Sequence, residues 1–282
     1  MSTQPKAAKR PGILTGGVAI AVSAVVFLVP FAFIVVQALK TRTEASLLEF
    51  SWPTHIAIVQ NIIDVVQARD YMLVIAFINS TVLTVASVVI MVIFGAMMAY
   101  VLQRRKSRLN PLVNGLVLAG LIIPPSVVPT IWVLQTLHLF KTLPGLILVE
   151  IAFGLSFSVL IMRAFIGAIP KELDEAAIID GASWFQTLTR IFIPVALPGL
   201  IAATIFAFTQ SWAQFLYPLV FTTSTDQLVL PVGIITTLIK GDVFNWGQIM
   251  TGALLGAAPP LIIYAFLMDY YIAGLTAGAT KG

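Results

Sequence analysis

Residues 143–168 read LPGLILVEIAFGLSFSVLIMRAFIGA, and residues 169–199 read IPKELDEAAIIDGASWFQTLTRIFIPVALPG. The first stretch is apolar throughout except for Glu150, Arg163 and a few small polar residues. It exceeds the roughly 20 residues that carry a helix across the hydrocarbon layer of a bilayer. The second stretch changes character at Pro170, and gathers Glu172, Asp174, Glu175 and Asp180 into one short segment ahead of Gly181. A membrane span that runs directly into a compact, water-facing element sets the fold class.

Similar apolar runs lie on either side. Residues 13–39, 72–102, 111–137, 143–168, 198–221 and 249–272 each approach or exceed spanning length, and tilt absorbs the longer ones. The composition agrees: 59% of the 282 residues are apolar and 10% charged, against about 25% charged in a soluble domain. Lys6, Lys9 and Arg10 precede the first run. That run is longer than the roughly 7–15-residue core of a signal peptide and lacks a small-x-small cleavage site after it, so it reads as a spanning helix. Prolines fall at mid-run at Pro30, Pro124, Pro125, Pro129, Pro218, Pro259 and Pro260. Kinks are expected there, with either a structural or a pathway-shaping role. Residues 40–71 leave room for a short interfacial helix. The run Gln227–Leu238, broken by Pro231 and Gly233, is too short to span and is expected at the outer surface or re-entrant.

Charge sets the orientation. With the N-terminus inside, the cytoplasmic side holds Lys6, Lys9, Arg10, Arg104, Arg105, Lys106, Arg108, Arg163, Lys171, Arg190 and Lys281. The outer side holds Lys40, Arg42, Arg69, Lys141 and Lys240. The excess obeys the positive-inside rule, and six spans return the C-terminus to the cytoplasm. Because the basic residues lie at the ends of apolar runs, the net charge of +4 forms no face that could track phosphates, which excludes nucleic-acid binding.

The 169–199 segment is expected to fold as helix–glycine–helix on the cytoplasmic face. Pro170 suits a first helical turn, and Glu172, Asp174 and Glu175 suit the positive end of the helix dipole. Gly181 suits the left-handed residue that ends the helix. Ser183 with Gln186 reads as a capping box opening a second helix through Arg190, and Pro194 and Pro198 then reset the direction. By pattern alone this is either a docking element for a cytoplasmic partner or an ordinary connection whose Trp184 and Phe185 rest on the membrane surface.

Glu175-Ala176-Ala177, Asp180-Gly181 and then Ile191-x-Ile193-Pro194 resemble the EAA signature of permease subunits in binding-protein-dependent ABC importers, with isoleucine at 193 in place of the usual leucine. Asn79-Ser80, Ala99-Tyr100, Pro124-Pro125, Ser211-Trp212, Phe215–Leu219 and Leu230–Gly233 are similar to stretches of the carbohydrate-uptake members. The tail Gly274–Gly282 is similar to that of the maltose-system subunit MalG and its relatives. The resemblance covers roughly residues 10–282. Ala213 stands where relatives usually carry asparagine, and Asp269 where they often carry glutamine.

This resemblance implies an all-α integral membrane protein of the bacterial inner membrane with the type I ABC importer permease fold: six transmembrane helices and both termini cytoplasmic. Residues 1–12 would be a cytoplasmic N-terminal segment. Residues 13–282 would be the permease domain, with its core at 72–272 and its coupling segment at 170–194. Glu172, Glu175, Ala176, Ala177, Asp180, Gly181, Ser183, Trp184 and Phe185 would form the surface that enters a cleft on the ATPase, with the tail around Gly278–Gly282 nearby. The implied partners are a sister permease in a heterodimer, two copies of a cytoplasmic ATPase, an extracytoplasmic solute-binding protein and membrane lipid. ATP and Mg2+ would be held by the ATPase.

Residues within the spans supply a candidate translocation path, because polar groups at membrane depth usually face a cavity or one another. They are Asn79, Ser80, Glu150, Gln210, Ser211, Trp212, Gln214 and Tyr217. The spacing of Gln210, Gln214 and Tyr217 predicts one helix face. Amides, a carboxylate and aromatic rings suit a sugar, but the same residues could instead bind helices to one another. Glu150 could instead pair with a residue of the partner permease.

The sequence also limits the chemistry. There is no G-x-x-x-x-G-K-[ST] phosphate loop, so the chain carries no ATPase of its own. It contains no cysteine and two histidines, His55 and His138, which leaves few ligands for a structural or catalytic metal. An ion-coupled secondary transporter would be expected to show inverted repeats with paired broken helices, and a channel a recognisable pore motif. The expected solute is a sugar, with a polyol or glycerol-phosphate-type solute as the alternative.

Overall fold

The structure is a computed structural model that describes residues 13–183, 186–221, 227–239 and 244–279. The described residues are helical, with no strand among them. Among the described residues five helices are long and apolar enough to cross a membrane, six if one bent pair is counted as a span. The protein is therefore an all-α, multi-pass membrane protein.

The helices are α1 (Ile13–Leu39), α2 (Arg42–Ser46), α3 (Ile58–Arg104), α4 (Asn110–Ile122), α5 (Val127–Thr136), α6 (Leu143–Ala168), α7 (Glu172–Ile179), α8 (Ile193–Trp212), α9 (Leu216–Phe221), α10 (Leu230–Ile234) and α11 (Trp246–Ala279). Wider π-helical turns occupy Thr187–Phe192 and Ile235–Ile239. By packing, the chain forms two units: residues 1–65 with 238–255, and residues 66–237 with 256–282.

The first unit is organised around buried polar side chains. Lys40, 1% exposed, donates from Nζ to the Glu49 carbonyl at 2.6 Å and to Ser51 Oγ at 3.1 Å. Asn61 Nδ2 donates to the carbonyls of Ala38 and Lys40, both at 2.9 Å. The two Asn61 bonds satisfy carbonyls left open at the end of α1. The α2 helix opens with a capping box between Thr41 and Glu44. Over residues 18–31 of α1 most apolar side chains stay uncovered, Ile20 and Phe27 among them, as lipid contact requires, whereas Val36 and Ala38 near its end are buried.

In the second unit α6 packs against α4, α8 and α9. Its start is fixed by Thr142, whose side chain accepts from the Gly145 N–H at 3.1 Å. It ends at Ile169, which is extended at ψ 129 because the following Pro170 disfavours the helical region for the residue before it. One apolar core gathers Leu83, Leu146, Val149, Phe221 and Val232. A second gathers Ala99, Tyr100, Met162, Ile166, Phe192 and Ala196.

Prolines account for most departures from the six expected runs. Residues 111–137 do not form one straight span: α4 and α5 meet at 118°. Ile123, ahead of Pro124 and Pro125, turns out of the helix at ψ 119. The expected 198–221 run instead begins at Ile193, ends at Trp212 and resumes as the short α9. Pro194 and Pro198 both lie inside α8 rather than resetting direction before it. The α3 helix extends back to Ile58, but it is broken at Ala68–Tyr71, where Arg69, Asp70 and Tyr71 all have positive φ.

Candidate functional site

The 170–194 segment is built from both ends. The α7 helix starts at Glu172, with the Asp174 and Glu175 N–H groups donating to the Lys171 carbonyl at 3.0 and 3.2 Å. Pro170 therefore lies ahead of the first turn rather than within it. The helix closes as the Ala182 N–H donates to the Ala177 carbonyl at 2.9 Å, with Gly181 at φ +72. A residue with a Cβ pays for that left-handed conformation, and glycine does not.

The capping box is present. Ser183 N–H donates to Gln186 Oε1 at 2.8 Å, and Gln186 N–H donates back to Ser183 Oγ at 3.3 Å. From Thr187 to Phe192 the chain is a π-helical turn that runs on into α8. Glu172, Glu175, Ala176, Asp180, Gly181 and Ser183 are exposed, whereas Ala177 is buried. Ile179 projects from this surface at 84% exposure, a large apolar group that none of the described residues covers. Trp184, Phe185 and residues 280–282 lie outside the described residues.

The element is tied to the spans by contacts that the sequence did not signal. Arg104, the last residue of α3, forms an ion pair with Asp174 at 3.0 Å. Its Nη2 also donates to the Ile169 carbonyl at 2.8 Å. Beside it, Gln103 Nε2 donates to the Arg163 carbonyl at 3.1 Å, and Arg163 Nη1 donates to Asn114 Oδ1 at 2.7 Å. The ring of Tyr100 meets Phe192 edge-on at 4.7 Å. Arg104 was legible only as one charge in a basic run, and Asp174 only as one of several acids.

The eight expected path residues separate into two groups. Glu150, Gln210 and Ser211 line one cavity of about 260 Å3 between α6 and α8, together with Met91, Gly154 and Ser158. The other five make packing or capping contacts. Asn79 Nδ2 donates to the Leu228 carbonyl at 3.0 Å, and Ser80 Oγ accepts from the Leu230 N–H at 2.7 Å, so both hold the start of α10. Gln214 does not share a helix face with Gln210, because α8 has already ended. Its Oε1 accepts from the N–H groups of Phe215 and Leu216 at 3.1 and 3.3 Å, capping α9. Tyr217 packs against Phe153 at 5.1 Å.

Trp212 answers a defect made by proline. Pro260 has no N–H to give the carbonyl four residues earlier, that of Gly256. The Trp212 indole N–H donates to that carbonyl at 2.8 Å. The ring is stacked on Phe208 at 5.7 Å and meets Phe77 edge-on at 5.5 Å. Ala213 is the exposed C-cap of α8, and Asp269 is exposed on α11. Among the described residues no three His, Asp or Glu side chains cluster as a metal site would require.

Comparison with known proteins places this geometry. Residues 91–276 match the family described as "Binding-protein-dependent transport system inner membrane component". The inner membrane ABC transporter permease protein YcjP of Escherichia coli is 28% identical over the full length of both chains. The diacetylchitobiose uptake system permease protein NgcG of Streptomyces coelicolor is 31% identical, over 85% of this chain and 80% of that protein. A crystal structure of a bacterial ABC transporter for import of the acidic polysaccharide alginate contains a chain of the same fold. It matches with TM-score 0.79 at 19% identity, over 95% of this chain and all of that one. The chain belongs to the inner-membrane components of binding-protein-dependent transport systems, and is a non-catalytic permease subunit of the ABC-importer type.

Proposed function

We propose that this chain forms half of the translocation path for a sugar in an ATP-driven importer. It pairs with a sister permease as a heterodimer, is driven by two copies of a cytoplasmic ATPase, and receives solute from an extracytoplasmic binding protein. The observation that carries the reading is the α7–Gly181–Ser183 element, closed by the left-handed Gly181, followed by the Ser183–Gln186 box and ion-paired to the end of α3. An exposed element locked to a span in this way passes movement of a bound ATPase into the membrane instead of absorbing it. Glu172, Glu175, Ala176, Ala177, Asp180, Gly181, Ser183, Trp184 and Phe185 are the proposed coupling residues, on the cytoplasmic side that the basic run at 104–108 favours.

The solute class is supported by relatives named for diacetylchitobiose and alginate. The similarity spreads across several carbohydrate systems and does not single out the maltose system. Between an uncharged and an acidic carbohydrate, the cavity favours the uncharged one, since among the described residues no Lys, Arg or His lines it. The same feature argues against a glycerol phosphate. The test is uptake into proteoliposomes containing the assembled complex. Accumulation of a neutral sugar that needs both ATP and the binding protein supports the reading, and accumulation without ATP overturns it.

A further inference from the structure

The cavity between α6 and α8 carries two unmet polar atoms. Glu150 is 6% exposed and Ser211 4%, and neither Glu150 Oε1 nor Ser211 Oγ has a hydrogen-bond partner. Buried polar atoms in native proteins are nearly always paired, so two orphans bordering one cavity indicate a ligand that supplies hydrogen bonds. The lining has no Lys, Arg or His to neutralise the carboxylate. The rings of Phe157 and Phe206 border the same space, 4.7 Å apart and tilted by 37°. Gly154 sits tightly at its wall: a Cβ there would lie 2.4 Å from Met91 Sδ.

Resting on the reading of this chain as half of a sugar path, we propose that the cavity is a subsite for one uncharged, hydroxyl-bearing ring of the solute. Glu150 accepts a hydroxyl hydrogen, Ser211 bonds a second hydroxyl, and the phenylalanine pair covers the apolar C–H face. At about 260 Å3 the space lies just below the roughly 300–1,000 Å3 of ordinary ligand pockets, so it takes one ring at a time. The subsite also rejects anions. A carboxylate, sulfonate or phosphate would leave water for a space whose described lining offers no cation to offset its charge, and that desolvation cost supplies specificity. The competing occupant is a cationic side chain of the sister permease, which would satisfy Glu150 without any solute.

The chain has no cysteine, so the Ser158→Cys variant, on the cavity wall but outside the two proposed hydrogen-bonding groups, gives a clean reporter, and Gln210→Cys serves if the first fails to assemble. The complex of this chain, its sister permease and the ATPase is placed in nanodiscs and treated with a small water-soluble methanethiosulfonate, whose thio group forms a mixed disulfide with the cysteine as methanesulfinate leaves. Labelling of this chain is read by mass spectrometry. The probes are D-glucose, N-acetyl-D-glucosamine, maltose and cellobiose, with D-glucuronate as the anionic comparison.

The expected result is labelling that is slowed by at least one neutral sugar and unaffected by D-glucuronate. Adding Glu150→Ala should raise the protecting concentration by roughly two- to tenfold, the net worth of one hydrogen bond. Three outcomes overturn the subsite: labelling that no sugar slows, equal protection by D-glucuronate, or labelling blocked by assembly alone, which assigns the cavity to the sister permease. ATPase stimulation by the binding protein is measured on the same sample. Intact stimulation without protection rejects the subsite and leaves the importer reading standing, whereas absent stimulation counts against the importer reading.

Discussion

Arg104 Nε lies 3.0 Å from Asp174 Oδ2, with the two side chains 6% and 18% exposed, and this ion pair joins the end of α3 to the proposed coupling helix. Removing one partner of a mostly buried pair leaves the other uncompensated, at a cost of about 3–5 kcal/mol when burial is complete and less here. Asp174→Asn and Arg104→Gln should each uncouple the importer. The expected outcome is basal ATP hydrolysis retained, with stimulation by the binding protein reduced at least tenfold. The exchanged pair Arg104→Asp with Asp174→Arg should recover part of it. Stimulation equal to wild type in both single variants would remove the pair from the coupling route.

Gly181 has φ +72, and a Cβ built there meets nothing within 4 Å. The cost of Gly181→Ala is therefore confined to the backbone, about 1–2 kcal/mol for a left-handed non-glycine residue. Asn tolerates this region better, so Gly181→Asn should fall between wild type and Gly181→Ala. ATPase retention on the purified chain gives the ranking. Equal retention in all three would mean that the turn does not shape the docking surface.

The Trp212 indole and the Gly256 carbonyl form a bond that only the missing N–H of Pro260 makes necessary. Trp212→Phe should destabilise the second unit by about 1–3 kcal/mol, the cost of an unsatisfied buried carbonyl, plus some lost packing. Pro260→Ala restores the intrahelical donor. The double variant should then be more thermostable than Trp212→Phe alone, as read from unfolding in detergent. If Pro260→Ala adds nothing to the Trp212→Phe background, the hydrogen bond is not what Trp212 contributes.

Glu44 ties α2 to the loop that follows. Burial pushes its carboxyl upward, but hydrogen bonds from the Thr54 and Thr41 N–H groups and the Thr41 hydroxyl outweigh it and hold the group below its ordinary value. A carboxyl lowered in the folded state contributes stability above its unfolded value, and that contribution is lost as pH falls through the folded value. Protection of the Thr54 amide, its exchange rate taken relative to the intrinsic rate at each pH, should fall below the ordinary carboxylate range in wild type. In Glu44→Gln the same protection should be lower and nearly independent of pH. A pH-independent wild type would contradict the assignment.

Much of the fold was legible because hydrophobic run length and proline position are local properties. The run at 143–168 matches α6, and the first run matches α1. Gly181 and the Ser183–Gln186 box were legible for the same reason, as each acts within one turn of chain. The sequence reading failed where a break cancels a period. Gln210 and Gln214 have helical spacing, but α8 ends at Trp212, and Gln214 becomes a cap. It also could not pair Arg104 with Asp174, or Trp212 with Gly256, because packing alone brings such distant residues together. Glu150 was identifiable as an unusual intramembrane acid. That Ser211 and the rings of Phe157 and Phe206 share its cavity required the structure.

The most direct test of the account is affinity purification of this chain from its native membrane in mild detergent, with mass spectrometry of everything retained. The account predicts a second permease and an ATPase subunit, with the ATPase diminished in a Glu175→Lys variant that keeps the second permease. A chain recovered alone or as a homomer, with no ATPase and with sugar movement in vesicles lacking ATP, would contradict it.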